Sequence, residues 1–401
     1  MKFMFYNFIF HLIYFFLNLL NPIIKIRFLQ IETRAIGHMS QAIEIHLNEK
    51  KQKIIDECLF DIYFPQKEIA NLYLWKKWKK ILKIKIPDKI SRFVFQPIYF
   101  IALKKNNKNM LIPFRNNSGI SFNKNLDTQW QSQDKYNVLD NTNPLINFSL
   151  KEKQRGLNFL KEIDISINDK IVLLISRDPK YRNNLKNLPY HEYSYRDTDI
   201  NVFEHAVEYL SSLNYKVIRM GRDMDKKLNI KNPNFFDYAF SEKKSDFLDI
   251  FLFEVCNFVI STGTGLDNVS SLFRKKILHV NYADLIMMRY FNSNVGLVYP
   301  KKFIDIDTNK ELNIYEIYEK LPKNFDNRKN DFLEKYNINY KSLSREEIKY
   351  ACIEMIDFLK KGTDSKTLEM NKKIKNIFKN KYNVSFKSNF CKNYLINFKK
   401  N

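Results

Sequence analysis

The sequence predicts an α/β protein of two domains, with a parallel sheet in its second half. Three observations point there. A chain of 401 residues is too long for one ordinary core. From residue 150 onward, short β-branched apolar runs alternate with amphipathic helical stretches, the pattern of parallel βαβ units. The segment Phe258–Phe273 (FVISTGTGLDNVSSLF) then runs from a strand through two glycines into a helical pattern. Only 8 glycines occur in the chain, so the pair Gly263 and Gly265 marks a tight turn or a close backbone approach.

The elements follow in chain order. Phe3 to Ile24 is 22 residues without a charged side chain, close to the ~20 that cross a bilayer. No small-residue cleavage site follows it, which argues against a signal peptide. Asn7, His11, Tyr14, Asn18 and Asn21 fall in one wedge of roughly 80° on a helix. A membrane-associated helix over residues 1–23 is expected. It would lie in the interface with the wedge toward water and headgroups, or span with the wedge toward a partner, and interfacial attachment is preferred. A helix buried in the protein core is the third reading.

Ile24–Thr33 reads as a strand, Arg34–Met39 as a loop, and the stretch to about Lys50 as a helix. Ile54–Phe64 alternates like a second strand. In residues 68–83, Ile69, Leu72, Trp75, Trp78, Ile81 and Leu82 form an apolar stripe away from Lys76, Lys77, Lys80 and Lys83. Trp beside Lys suits a membrane interface, and the same stripe suits a surface helix facing the core. Residues 104–149 are rich in Asn, Asp and Pro and end in a linker.

Leu150–Ile163 is helical, Lys170–Ser176 a buried strand, Asn201–Leu213 a helix and Tyr215–Met220 a strand. Phe247–Phe253 is helical, Asn257–Ser261 a strand, Asn268–Phe273 a helix and Lys276–Asn281 a strand. Ser344-Arg-Glu-Glu347 is a capping box opening a helix through Lys361, stopped by Gly362. The Lys-rich tail beyond is weakly helical. The expected division is 1–23, a hydrophobic helix; 24–149, a first α/β domain; 150–340, a second; and 341–401, helices with a basic tail.

The net charge of +23 suggests nucleic acid at first sight. Lys far outnumbers Arg, however, and no RNA-binding motif occurs, so nucleic acid is not an expected partner. The excess is partly local: residues 75–92 carry net +7 and residues 363–401 net +8. Such segments beside aromatic residues suit an anionic membrane surface. Cys58, Cys256, Cys352 and Cys391 lie far apart, as reduced thiols of a cytosolic compartment do.

In a parallel sheet, ligands bind at the carboxyl ends of the strands. Those ends are Arg177-Asp178, Gly221-Arg222, Ser261–Gly265 and Asn281-Tyr282. Helix starts favour phosphate through unpaired N–H groups, and Ser261, Thr262 and Thr264 add hydroxyl donors. Arg177 and Arg219 are suited to bidentate phosphate contacts, although Arg219 could instead pair with a local carboxylate. Asp197 and Asp199 could hold a metal, but they precede a helix, where Asp caps. The loop Tyr190–Arg196 gathers His191, Glu192, Tyr195 and Arg196. His191 or Glu192 could serve as a general base, with His38 in the Gly37-His38 loop as rival. No histidine pair has metal spacing, so no metal is expected.

Ile36-Gly-His38, Arg177-Asp178 with Tyr181, Tyr195-Arg-Asp-Thr-Asp-Ile200, Val217-Ile-Arg-Met-Gly221, Ser261-Thr-Gly-Thr-Gly-Leu266, Val280-Asn281 and Tyr299-Pro-Lys301 occur in this order. Together they resemble a family of bacterial glycosyltransferases associated with surface polysaccharide and lipopolysaccharide synthesis. The resemblance covers roughly residues 31–400 and is densest between 170 and 305. It implies two Rossmann-like domains facing a cleft (the GT-B architecture). The glycine loop is also similar to the Thr-Gly loop of heptosyltransferases, and Arg177 to the phosphate-binding Arg of fucosyltransferase-type enzymes. The Asn-rich insertion at 104–149 and the Lys-rich tail depart from the pattern on the acceptor side. The implied activity is metal-independent transfer from a nucleotide-diphosphate sugar to a surface-glycan or lipid-linked acceptor, at the cytoplasmic face of a membrane. Donor contacts would come from Arg177, Asp178, Tyr181, Arg219, Gly221, Ser261, Thr262, Gly263, Thr264, Gly265 and Asn281. Gly37, Tyr195 and Arg196 would serve the acceptor side or its loops, and no cofactor is required. The alternative is a non-catalytic nucleotide-sugar-binding or scaffold protein of the same pathway.

Overall fold

The computed structural model describes residues 2–55, 60–112, 134–180, 194–323 and 335–396. The chain divides into two compact units, residues 1–147 and 148–401.

In the first unit, helix Lys2–Leu20 leads into strand β1 (Ile26–Ile31), which pairs in parallel with β2 (Phe60–Pro65). A π-helical turn, His38–Ala42, begins within the last two residues of the expected loop and opens helix Ile43–Lys51, where a helix to about Lys50 is expected. Helices Leu72–Ile81 and Asp88–Lys104 complete the unit. Phe28 and Phe64 of the two strands pack with Ile98, Ala102, Met110 and Tyr14. Where a Rossmann-like first domain is expected, the described residues of this unit hold two parallel strands and an isolated parallel bridge between Phe28 and Leu111.

Two readings of the sequence meet the structure here. Tyr14, Asn18 and Asn21 of the first helix's polar wedge bond to the protein, while Asn7 and His11 are exposed as expected. Asn107 Nδ2 donates to Tyr14 Oη (2.9 Å) and Asn18 Oδ1 (2.6 Å), and Asn21 Nδ2 donates to the Asn109 carbonyl (3.0 Å). The helix also ends at Leu20, one turn short of Ile24, and no helix among the described residues is long and apolar enough to cross a membrane. The Trp/Lys stripe faces the core: Trp75 and Trp78 are buried, with their indole N–H groups on Asp88 (3.0 Å) and the Met39 carbonyl (2.8 Å). A buried indole needs such a partner.

The second unit is built on a seven-stranded sheet. Its strands are β3 (Lys170–Ile175), β4 (Tyr215–Met220), β5 (Phe235–Phe236), β6 (Phe258–Ser261), β7 (Lys276–Tyr282), β8 (Val295–Pro300) and β12 (Asn389–Phe390). All pairings are parallel, in the order β12-β8-β7-β6-β3-β4-β5. The chain moves outward from β3 to β5, then returns to lay β6 on the other side of β3. That is the doubly wound arrangement, and its switch point lies between β3 and β6. Val172, Leu173, Val217, Ile218, Val259, Ile260 and Leu278 are all buried, as in a sheet covered on both faces.

Helix Leu150–Glu162 starts at a capping box of Ser149 and Glu152, and helix Arg345–Lys361 at one of Ser344 and Glu347. Between β6 and β7 the expected α-helix is a 3-10 helix, Leu266–Phe273, ended by Arg274 at φ 56°. Three further strands, β9 (Lys302–Asp305), β10 (Glu311–Leu312) and β11 (Ile338–Lys341), form a small antiparallel sheet. The basic tail is a full element: Asp364 caps helix Ser365–Tyr382, and the chain then adds β12 beside β8.

Candidate functional site

The switch point places the ends of β3 and β6 side by side. The Arg177 N–H donates to Thr262 Oγ1 at 2.9 Å, tying the two strand ends together. Arg177 Nε reaches Asp197 Oδ1 at 3.0 Å, and the Arg177 carbonyl accepts from the Thr198 N–H. From the end of β8, Lys301 donates through Nζ to the Asp197 carbonyl at 2.7 Å. Lys301 is only 5 % exposed. Burial pulls its pKa from 10.5 to about 8, with Asp197 opposing and Arg177 reinforcing the shift. Arg177 thus meets the Asp197 carboxylate and Lys301 the Asp197 main-chain carbonyl, which brings two cations to one edge of the sheet.

The glycine loop is closed by its own side chains. Ser261 Oγ donates to Asp267 Oδ2 (2.7 Å) and accepts from the Gly263 N–H (3.0 Å). The Thr264 N–H donates to Asp267 Oδ2 (2.8 Å), the Leu266 N–H to Thr264 Oγ1 (3.2 Å), and the Thr262 N–H to the Ile175 carbonyl (3.1 Å). Amides expected to stand ready for a phosphate are thus engaged, and a carboxylate occupies the start of the following turn. Gly265, at φ −67°, is the ordinary residue before that turn.

Arg196 braces the loop from the other side, donating from Nη2 to the Gly263 carbonyl (2.7 Å) and pairing through Nε with Asp284 (3.0 Å). Tyr195 donates its hydroxyl to Asp284 at 2.6 Å and stacks on Tyr340. Burial, then Asp284, pushes the Tyr195 phenol up, so it stays a neutral donor. Burial works against the Arg196 charge, but Asp284 and Tyr195 raise its pKa overall. These two residues therefore position the glycine loop.

Other strand-end candidates are committed elsewhere. Arg219 is 1 % exposed and donates to Asp237 (3.1 Å) and the Lys226 carbonyl (2.6 Å). That removes it from the donor set. Its carboxylate is Asp237 rather than a residue nearer in sequence, because the short strand β5 brings 237 alongside. Asn281 is buried at φ 51°, and its side-chain carbonyl accepts from the Leu343 N–H (2.7 Å). Asp178 accepts from the backbones of Lys180 (2.9 Å) and Asp225 (3.0 Å), which fixes the loop after β4. Gly221 lies at φ +153°, where an added Cβ would fall 2.2 Å from Met224 Cε. Asp199 caps the turn Ile200–Phe203 through the Asn201 N–H.

Tyr181, His191 and Glu192 lie outside the described residues. His38 belongs to the first unit, after Gly37, whose carbonyl accepts from Ser40 Oγ (3.0 Å). Burial lowers the His38 pKa from 6.5, with Glu32 opposing and Arg34 reinforcing, so the ring is neutral and able to accept a proton at pH 7. Among the described residues, no group of three or more His, Cys, Asp and Glu side chains could hold a metal.

Lys301, Asp267 and Asp284 are additions that sequence reasoning missed as site residues. The strand-end rule would have found Lys301 had Val295–Pro300 been read as a strand. Asp267 and Asp284 carry no local signal, since their partners are set by the fold.

No protein-family model matches the chain, and no curated protein does. Among solved structures, the chain is similar to the glycosyl transferase family 9 protein from Veillonella parvula DSM 2008. The TM-score is 0.44 at 11% identity, covering 84% of this chain and 97% of that one. A likeness at that level identifies neither a donor nor a residue, and the functional reading rests on this chain's own side chains.

Proposed function

We propose that this protein is a metal-independent glycosyltransferase whose second unit binds a nucleotide-diphosphate sugar. Its acceptor is a surface glycan or a lipid-linked saccharide, met at the cytoplasmic face of a membrane with anionic lipids. The observation that supports this is the convergence of Arg177 and Lys301 on Asp197 at the switch point of a doubly wound sheet. As the bond between the anomeric carbon and the phosphate oxygen breaks, negative charge grows on the departing diphosphate. Fixed cations in a partly dry site stabilise that charge without a metal. The acceptor oxygen forms the new bond and its proton passes to a base, for which His38, His191 and Glu192 are the candidates.

A thermal-shift panel of UDP, GDP, CMP and ADP sugars tests the reading. One of them should raise the melting temperature without added Mg²⁺ and in the presence of EDTA. Saturation at about a hundred times Kd corresponds to about 2.7 kcal/mol. Loss of the shift in EDTA would make Asp197 and Asp199 metal-ligand candidates. No shift with any nucleotide sugar would exclude donor binding and leave a scaffold role.

The pH dependence has a definite sign. Lys301 is charged below about 8, and an anion prefers the charged form. Donor affinity should be flat below about pH 8 and fall as pH rises above it, by at most about tenfold per unit. Lys301→Met should remove that fall while lowering affinity at pH 7. Isothermal titration at pH 7, 8 and 9 checks both.

A further inference from the structure

The first helix and helix Asp88–Lys104 pack together, with Tyr6 and Phe10 each edge-on to Phe93 (6.3 and 6.2 Å). On the first helix the side turned away from this contact is apolar and bare, and on the second Phe93 stays exposed beside the contact. On the first helix, Phe8, Leu12, Phe15, Phe16 and Leu19 are exposed, Phe8 by 66 %. They fall within an arc of roughly 100°. On the second, Ile90, Phe93 and Phe100 are exposed, Phe93 by 62 %, within roughly 80°. An aromatic face on two adjoining helices is far from the scattered apolar residues of an ordinary surface.

The charges around it are mostly basic. Residues 1–31 contain no Asp or Glu, and the second helix carries one, Asp88 in its first turn, which is paired with Lys79 (2.9 Å). Lys25, Lys89, Lys104, Lys105 and Lys108 are exposed. Lys105 and Lys108 flank the first helix, because Lys105 Nζ lies over the Tyr14 ring (5.2 Å) and Asn107 bonds to Tyr14 and Asn18. An apolar face with lysines beside it complements an anionic bilayer surface. The acyl boundary takes the rings while phosphate headgroups meet the ammonium groups.

We propose that these two helices together form a platform that lies flat in the interface of an anionic membrane, with Phe93 and Phe100 inserted alongside Phe8, Phe15 and Leu19. This deepens the membrane-face reading above and rests on it. The test needs no donor, so its outcome is separate from that of the transferase assay.

The experiment is co-sedimentation of the full chain with vesicles of phosphatidylcholine, with and without phosphatidylglycerol. The wild type should bind the anionic vesicles more tightly. The pair Phe93→Asp and Phe100→Asp should weaken binding at least about tenfold, as should Phe15→Asp with Leu19→Asp. Leu150→Asp, at an exposed apolar position in the other unit, should leave binding unchanged. Because Asp at position 93 could loosen the packing on Phe10, Phe93→Trp and Phe16→Trp supply a second readout. Both indoles should be quenched by brominated lipids above the wild-type level. Absence of vesicle binding, full binding by the Phe93/Phe100 variant, or an unquenched indole in Phe93→Trp would overturn the platform. So would a vesicle-free dimer that Phe93→Asp converts to monomer, since the face would then belong to a second copy.

Discussion

Gly263→Val is expected to destabilise the second unit by about 3 kcal/mol. Gly263 sits at φ +85°, where a side chain is strained, and a Cβ there would lie 2.6 Å from Tyr282 Cε2 and 2.8 Å from Cδ2. The ring cannot swing aside freely, because it is packed against His279 (5.1 Å between centroids) and Phe291 (4.9 Å). Left-handed backbone costs about 1–2 kcal/mol for a residue with Cβ, and overpacking adds about 1–3 kcal/mol. Urea denaturation should show a lowered midpoint with an unchanged slope, and Gly263→Ala should follow in the same direction by less. An unchanged midpoint would mean that Tyr282 yields. Poor donor binding by the valine variant would therefore report a distorted loop as well as a blocked approach.

Arg177→Ala should lower nucleoside-diphosphate affinity by about a hundredfold, equivalent to ~2.7 kcal/mol, the scale of a hydrogen bond to a charged group in a partly buried site. The apo protein should also melt somewhat lower, since Asp197 loses a partner that is itself largely buried. Arg177→Lys should restore part of the affinity, keeping the charge but not the planar fork. Isothermal titration at fixed salt measures all three proteins. Equal affinity in wild type and Arg177→Ala would place the anion site elsewhere.

Much of the sheet was legible because its strands are buried on both faces and read as unbroken β-branched runs. Lys170–Ser176, Tyr215–Met220 and Asn257–Ser261 agree with the observed strands to within a residue. Val295–Pro300 escaped notice because Gly296 and Pro300 interrupt so short a run. Helix Asp88–Lys104 escaped for a similar reason: Pro97 lies inside it and reads as a breaker. The Trp stripe of Leu72–Ile81 was ambiguous in principle, since a core-facing and a lipid-facing helix share one periodicity. At the site, Arg177 was visible from its place after an apolar strand. The commitment of Arg219 to Asp237 was not, because it depends on how the chain returns after β4. Nor could spacing show that Asp267 would fill the turn its own loop opens.

The seven-stranded sheet ends at both margins in strands of two residues, β12 and β5. A long bare margin invites another chain to extend the sheet. Among the described residues, the pairing of Asn389 and Phe390, extended by the Cys391 N–H on the Val298 carbonyl (3.0 Å), covers β8 on that side. Asn371 secures the cover by gripping both backbone groups of Phe390: its Oδ1 accepts from the N–H (2.6 Å) and its Nδ2 donates to the carbonyl (3.3 Å). The Phe390 ring is held as well by Phe378, Phe386 and Tyr394, so the end strand that closes this margin is anchored in the core and not merely laid along the edge.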